Sequence, residues 1–256
     1  MSFFTYQWDL PKGSGYPIWG REYFIQIGIT AALILLFRLL YQKLSKKARD
    51  RVRLLIPIFM FCMEASKQTL LLFQGNSNVG AYPLHMCSFG AIVFFLTEVS
   101  GHGKGKISCF IHHFFGEAAV MLMMPGSAIA LSMVDWTMYP VFNYFNIYGY
   151  IWHGLLVLYP ILLLSEKDIH PTIRHIHYDI AFLLMTGLPV LAFDKKYDCN
   201  FMFVNWPIHH TPLMKIYSLT GPKFYLLGYL VLIIVVVLIL NMGVEIIRFI
   251  YKSTHK

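Results

Sequence analysis

The chain has 256 residues, 57% hydrophobic and 13% charged, with a mean hydropathy of +0.57, too apolar for a soluble domain that must coat itself in polar groups. Its formal net charge of +8 would suggest nucleic acid in a soluble protein. Here the basic residues fall between apolar stretches, where they orient a membrane chain, and this excludes nucleic acid as a partner. Most of the length lies in apolar runs of about 17 to 30 residues, which leaves room for one helical bundle and no appended soluble domain.

Taken in chain order, the N-terminal stretch carries Trp8, Asp9, Lys12 and several glycines. It lacks the basic n-region and cleavage site of a signal peptide, so the first span is expected to be retained. Spans are predicted over residues 22–41, 54–73, 82–99, 107–133, 147–165, 178–193 and 224–247, the third and sixth being the shortest. Between the first two, Lys43, Lys46, Lys47, Arg49, Arg51 and Arg53 stand against the single acid Asp50, which marks that loop as cytoplasmic. Alternation from there puts Lys104 and Lys106, Lys167 and Arg174, and Arg248, Lys252 and Lys256 inside as well, about twice the basic count of the opposite segments. The expectation is an all-α, polytopic membrane helical bundle of seven transmembrane helices in the cell membrane, N-terminus outside and C-terminus cytoplasmic. Residues 1–21 form an extracellular segment, 22–252 a single transmembrane domain, and 253–256 a cytoplasmic tail. The outer segments 75–81, 135–146 and 194–223 are rich in aromatics, Pro and Asn, and read as headgroup-level anchors or as a lid over a cavity.

An ionisable residue in mid-span is costly and should be paired inside the bundle. The second span carries Glu64, Lys67 and Gln68, whose spacing of three and four puts them on one helical face. That is either a structural ion pair or part of a pocket. The fourth carries His113 and Glu117, then Met121, Met123, Met124 and Pro125; the proline frees backbone carbonyls and should kink the helix, while the methionines suit adaptable packing.

The richest segment is Tyr82-Pro83-Leu84-His85-Met86-Cys87-Ser88, which puts a thiol, an imidazole and a hydroxyl at one depth. A thiolate is a strong nucleophile, but a thiol in lipid stays protonated unless a base or cation stands beside it. Two helical residues are about 200° apart, so His85 and Cys87 point to opposite faces unless the start of the span is unwound. At 1.5 Å per residue, Cys87 and His153 both lie about 8 to 10 Å below the outer surface, with Lys67 at a similar level. Together they could activate a nucleophile and stabilise an oxyanion. A lone Cys in a span is usually an inert small hydrophobe, whereas an intramembrane His tends to mark a site. No spacing of His85 with Cys87, or of His112 with His113, fits a metal site. The four cysteines form no CxxC pair, and no cofactor is indicated. His170, His175, His177 and Arg174 read as a headgroup-facing loop, and residues 101–106 as a flexible basic turn rather than a phosphate loop.

These residues resemble the YwaF-type family of bacterial integral membrane proteins, related to the animal acyltransferase transmembrane protein 164, from about residue 50 to the seventh span. Glu64-Ala65-Ser66-Lys67 is similar to the family's acid-and-lysine second span, and residues 82–87 to its proline-leucine-histidine-x-cysteine element. His153-Gly154 is similar to its fifth-span histidine. Asn200-Phe201-Met202-Phe203 with Gly221-Pro222 is similar to its outer-loop signature. Phe201 stands where the family usually has tyrosine, and Lys223-Phe224-Tyr225 where it favours a Trp-Pro-rich stretch. The resemblance implies transfer of a fatty acyl chain between lipids, with Cys87 as nucleophile and His153 as base; a lipid hydrolase working through the same acyl-Cys87 intermediate is the variant of this expectation. His85, Lys67, Glu64 and Asn200 are then expected to hold the oxyanion or the substrate, a membrane phospholipid or lipid-linked molecule. A transporter or binding protein with a polar intramembrane pocket is a competing expectation, and a non-catalytic assembly subunit a third.

Overall fold

The computed structural model describes residues 3–208 and 211–254, with side chains in the last helix described through Ile246. The side chains of Arg248 and Lys252, and all of Lys256 in the expected tail, lie outside the described residues, as do Met1 and Ser2. The described elements are helical throughout: α1 (Arg21–Gln42), α2 (Lys46–Phe73), α3 (Gly90–Gly101), α4 (Lys106–Ala118), α5 (Met124–Ser132), α6 (Tyr144–Glu166), α7 (Ile176–Tyr197) and α8 (Pro212–Thr254), with short 3-10 turns between some of them. Among the described residues six helical runs are long and apolar enough to cross a membrane, α4 and α5 forming one of them, and Met86–Gly101 is a shorter apolar helix. This is a polytopic helical membrane bundle.

Prolines and one glycine set most of the differences from the expected boundaries. The third span was expected from residue 82, but the chain bends through Tyr82 to His85, makes a 3-10 turn at Met86–Phe89, and becomes α-helical only at Gly90. Pro83 disfavours helical geometry at Tyr82, which delays the helix. The last helix begins twelve residues before the expected start at 224. It breaks at Gly221, where φ is 71° and ψ 171°, a conformation essentially reserved for glycine; Pro222 then restarts the helix. Between α4 and α5 the chain stays helical but widens into a π-turn at Ala119–Met123, just ahead of Pro125, whose missing N–H removes one ladder bond. Helix α7 runs through Tyr197, past the expected end at 193.

The chain forms two compact units, one of residues 1–78 and 89–169, the other of 79–88 and 170–256. In the first, α6 packs against α1, α2 and α5, and α3 packs between α2 and α4. Its core holds Met60, Phe94, Leu156, Tyr159, Leu162 and Leu163, all fully buried, with Phe94 stacked on Tyr159 at 4.0 Å. Small residues permit close approach: a Cβ on Gly90 would collide with Leu156, and one on Gly116 with Ile169. Most apolar side chains of α1 face outward, as expected of a helix against acyl chains. The N-terminal segment lies against residues 137–146: Tyr144 N–H donates to the Phe3 carbonyl at 2.7 Å and Tyr16 N–H to Thr137 at 3.0 Å. The Asn143 amide donates to the Thr5 carbonyl at 3.0 Å. In the second unit α7 and α8 pack together, and the Asn241 amide donates to Asp179 at 3.3 Å.

The first unit also buries an ion cluster. Arg53 of α2 bonds Asp168, lies 3.2 Å from Glu98 of α3 and 3.3 Å from Asp50; Glu98 accepts from Tyr159 Oη at 2.8 Å. Removing the cation leaves the buried carboxylate of Glu98 uncompensated, which typically costs about 3–5 kcal/mol. Arg53→Ala is therefore expected to lower the unfolding temperature in detergent strongly, and Lys46→Ala, at the exposed Lys46–Asp50 pair, hardly at all; equal losses in thermal melts would show that the cluster is not integral to the bundle.

Candidate functional site

Within the first unit, His153 lies on α6 and is nearly fully buried. Its Nδ1 is 2.9 Å from the Gly149 carbonyl one turn earlier, an acceptor only, so Nδ1 carries the proton and Nε2 the basic lone pair. The ring stacks on Trp136, centroids 4.8 Å apart and planes within 17°. Gly149 makes that stack possible, since a Cβ there would fall within 2.8 Å of the indole.

Glu64, Lys67 and Gln68 share one face of α2, as their spacing predicts, and turn it toward α6. Glu64 Oε1 lies 2.8 Å from Lys67 Nζ and accepts from the Gln68 amide at 2.7 Å. Its other oxygen accepts from Tyr148 Oη at 2.5 Å, and the Lys67 ammonium sits 5.1 Å from the Tyr148 ring centre. Tyr148 stacks on Trp152 at 5.4 Å, the residue before His153. The seam is half-buried.

The second unit holds Cys87 and His85. Cys87 sits in the 3-10 turn opening the apolar helix Met86–Gly101, half-buried, so the α-helical rotation that would set it opposite His85 does not apply. His85 lies between the rings of Phe201 and Phe203, at 5.1 and 5.7 Å, and its Nδ1 accepts from the Met202 N–H at 3.4 Å. Met202 and Phe203 both take left-handed backbone, φ 53° and 59°, which costs a non-glycine residue roughly 1–2 kcal/mol. Tyr225 Oη donates to the Phe203 carbonyl at 2.7 Å and Tyr229 Oη to that of Met202 at 2.9 Å, so two hydroxyls from α8 hold the strained pair.

Asn200 orders this loop. Its Oδ1 accepts from the N–H groups of Asn205 and Trp206, each at 3.1 Å, and its amide donates to the Trp206 carbonyl at 3.0 Å. Cys199 is a poorer nucleophile: burial pushes its thiol upward, and the carboxylates of Asp194 and Asp198 push it further. His113 lies on α4 and Glu117, fully buried, a turn further on. Among the described residues no group of three or more His, Cys, Asp or Glu is placed to hold a metal ion. Sequence reasoning missed Trp136, taken as one of several loop aromatics, and the Arg53 cluster, whose arginine counted only toward loop charge. No signal in the sequence separates Arg53 from its neighbour Arg51.

Apolar helices with buried polar groups on their inner faces define the class: an integral, multi-pass membrane protein. The chain belongs to the TMEM164 family, whose model matches residues 18–241 and so takes in α1, which the resemblance from residue 50 did not cover. No curated protein and no solved structure matched the chain.

Asn200→Ala removes an acceptor for two backbone N–H groups, each bond contributing about 0.5–1.5 kcal/mol. Hydrogen exchange at Asn205 and Trp206 is expected to accelerate by about two- to tenfold, while α7 keeps its protection; unchanged exchange at both amides would mean the loop is ordered without Asn200.

Proposed function

We propose that the protein is an acyltransferase of the cell membrane that moves a fatty acyl chain between lipids through a Cys87 thioester, with His153 as base and the chemistry at the outer leaflet. The observation that carries it is the state of His153: an intramembrane imidazole held by the Gly149 carbonyl in the tautomer that leaves Nε2 able to take a proton. Cys87, in the turn that opens the apolar helix Met86–Gly101, offers the thiol, and membership of the TMEM164 family accords with the resemblance to an acyltransferase.

The steps balance without a co-reactant. The thiol gives its proton to His153 Nε2 as sulfur attacks the ester carbonyl of a phospholipid or lipid-linked donor. Collapse breaks the carbon–oxygen bond to glycerol, and the leaving oxygen takes the proton back from the imidazolium. An acceptor hydroxyl then resolves the thioester and restores the thiol. In this scheme Lys67 and Glu64 engage a headgroup, His85 through its Nε2–H supports the oxyanion, and Asn200 holds the loop. The polar seam of Glu64, Lys67, Gln68 and Tyr148 is also what a transporter that binds a small zwitterion would present.

Purified protein incubated with mixed phospholipid vesicles is expected to gain a hydroxylamine-labile acyl mass, absent from Cys87→Ala and slowed at least a hundredfold in His153→Ala. If the wild type gains no adduct while liposomes containing it show solute flux that survives Cys87→Ala, the transporter reading takes its place. We also place the N-terminus outside, so an impermeant amine reagent on intact cells should label Lys12 and Lys223 and spare Lys43 and Lys104; the reverse pattern would invert the topology.

A further inference from the structure

Trp136 carries an unexplained donor. Its indole lies parallel to His153, presses on the backbone at Gly149 with Nε1 among the atoms nearest a Cβ there, and meets the Tyr150 ring edge-on at 5.6 Å. Three neighbours thus fix its orientation, yet the Nε1–H is buried without a hydrogen-bond partner. Trp19, by contrast, donates its indole N–H to the Ser132 carbonyl at 3.2 Å. Buried donors are nearly always satisfied, and an exception needs an explanation. If stacking on His153 were the whole role, phenylalanine would serve without leaving a donor unmatched.

We infer that the Trp136 Nε1–H is a hydrogen-bond donor to the substrate, taking the ester carbonyl oxygen of the lipid beside His153. This rests on the acyl-transfer reading and assigns a further residue to it. As the sulfur–carbon bond forms, the carbonyl π pair moves onto oxygen and the thiol proton to His153 Nε2. The indole N–H meets the charge developing on that oxygen, and as the ester carbon–oxygen bond breaks the pair returns. A fixed donor in a water-poor site is well suited to this, because it need not reorganise as the charge appears. The same N–H discriminates for an ester or ketone oxygen and against an ether, which presents no carbonyl at that point.

The test uses the full chain in nanodiscs with Trp136→Phe, which keeps an aromatic ring at this position and removes the donor. The acyl adduct on Cys87 is expected to form about a hundredfold more slowly at saturating lipid, with half-saturation changed by less than about threefold; an unchanged rate overturns the assignment. A second readout is independent of turnover. In protein labelled with ¹⁵N at the indoles, the Trp136 resonance, assigned by replacing Trp8, Trp19, Trp152 and Trp206 singly with Phe, should move downfield with a non-cleavable ketone analogue of the lipid ester and stay still with the ether analogue. A shift with the ketone, in protein that forms no adduct, keeps the donor site and discards acyl transfer. No shift with either analogue discards the donor.

Discussion

An arginine drawn into a helical bundle has to be neutralised, and meeting that demand at Arg53 fixes where three parts of the first unit stand. Its partners come from α2 itself, from Glu98 near the end of α3 and from Asp168 just after α6. Taking a cation and its carboxylates out of water costs several kcal/mol per ion, recovered only with good geometry and further hydrogen bonds. Tyr159 supplies one such bond to Glu98, and the same ring stacks on Phe94. The polar cluster is therefore continuous with the apolar core around Leu156 and Leu162, and α6 is held by both. Since α6 also carries Tyr148 and His153, the position of the candidate base follows from a cluster several turns away.

A second constraint comes from residues that cannot continue a helix or cannot carry a side chain. Pro83 keeps the chain open ahead of α3, which leaves His85 in a bend and Cys87 at a helix start. Gly221 takes a backbone conformation closed to other residues and Pro222 restarts the helix, so Tyr225 and Tyr229 rise from the restarted part to the carbonyls of Phe203 and Met202. Gly149 does the same kind of work by absence: without a Cβ, α6 accepts the Trp136 ring flat against its backbone and brings it over the imidazole.

Much of this was legible before any coordinates. Hydropathy alone yields the helices, because backbone groups in lipid have to be satisfied within a helix or a closed barrel, and the spacing of Glu64, Lys67 and Gln68 already placed them on one face. Helix ends were harder. Residues 82–85 are apolar enough to count as span, and only the effect of Pro83 on its predecessor argues otherwise; residues 212–220 read as loop because Gly221-Pro222 looks like a stop when it is an interruption. The role of Asn200 was illegible for a different reason, since its bonds go to backbone of Asn205 and Trp206 and leave no pattern in side-chain identity. Arg53 was counted with the basic loop, where its charge is indistinguishable from that of Arg51; burial separates the two, and burial depends on α3 and α6 arriving at that point.

Strain and incomplete pairing in a membrane protein tend to be tolerated only where something else depends on them. Met202 and Phe203 in left-handed backbone each cost roughly 1–2 kcal/mol, and a buried indole N–H without an acceptor about 1–3, against a total stability of about 5–15 for a typical domain. Both adjoin a histidine with a defined tautomer, His85 accepting at Nδ1 from Met202 and His153 donating from Nδ1 to Gly149. The two imidazoles are thereby opposite in kind at Nδ1, an acceptor in His85 and a donor in His153.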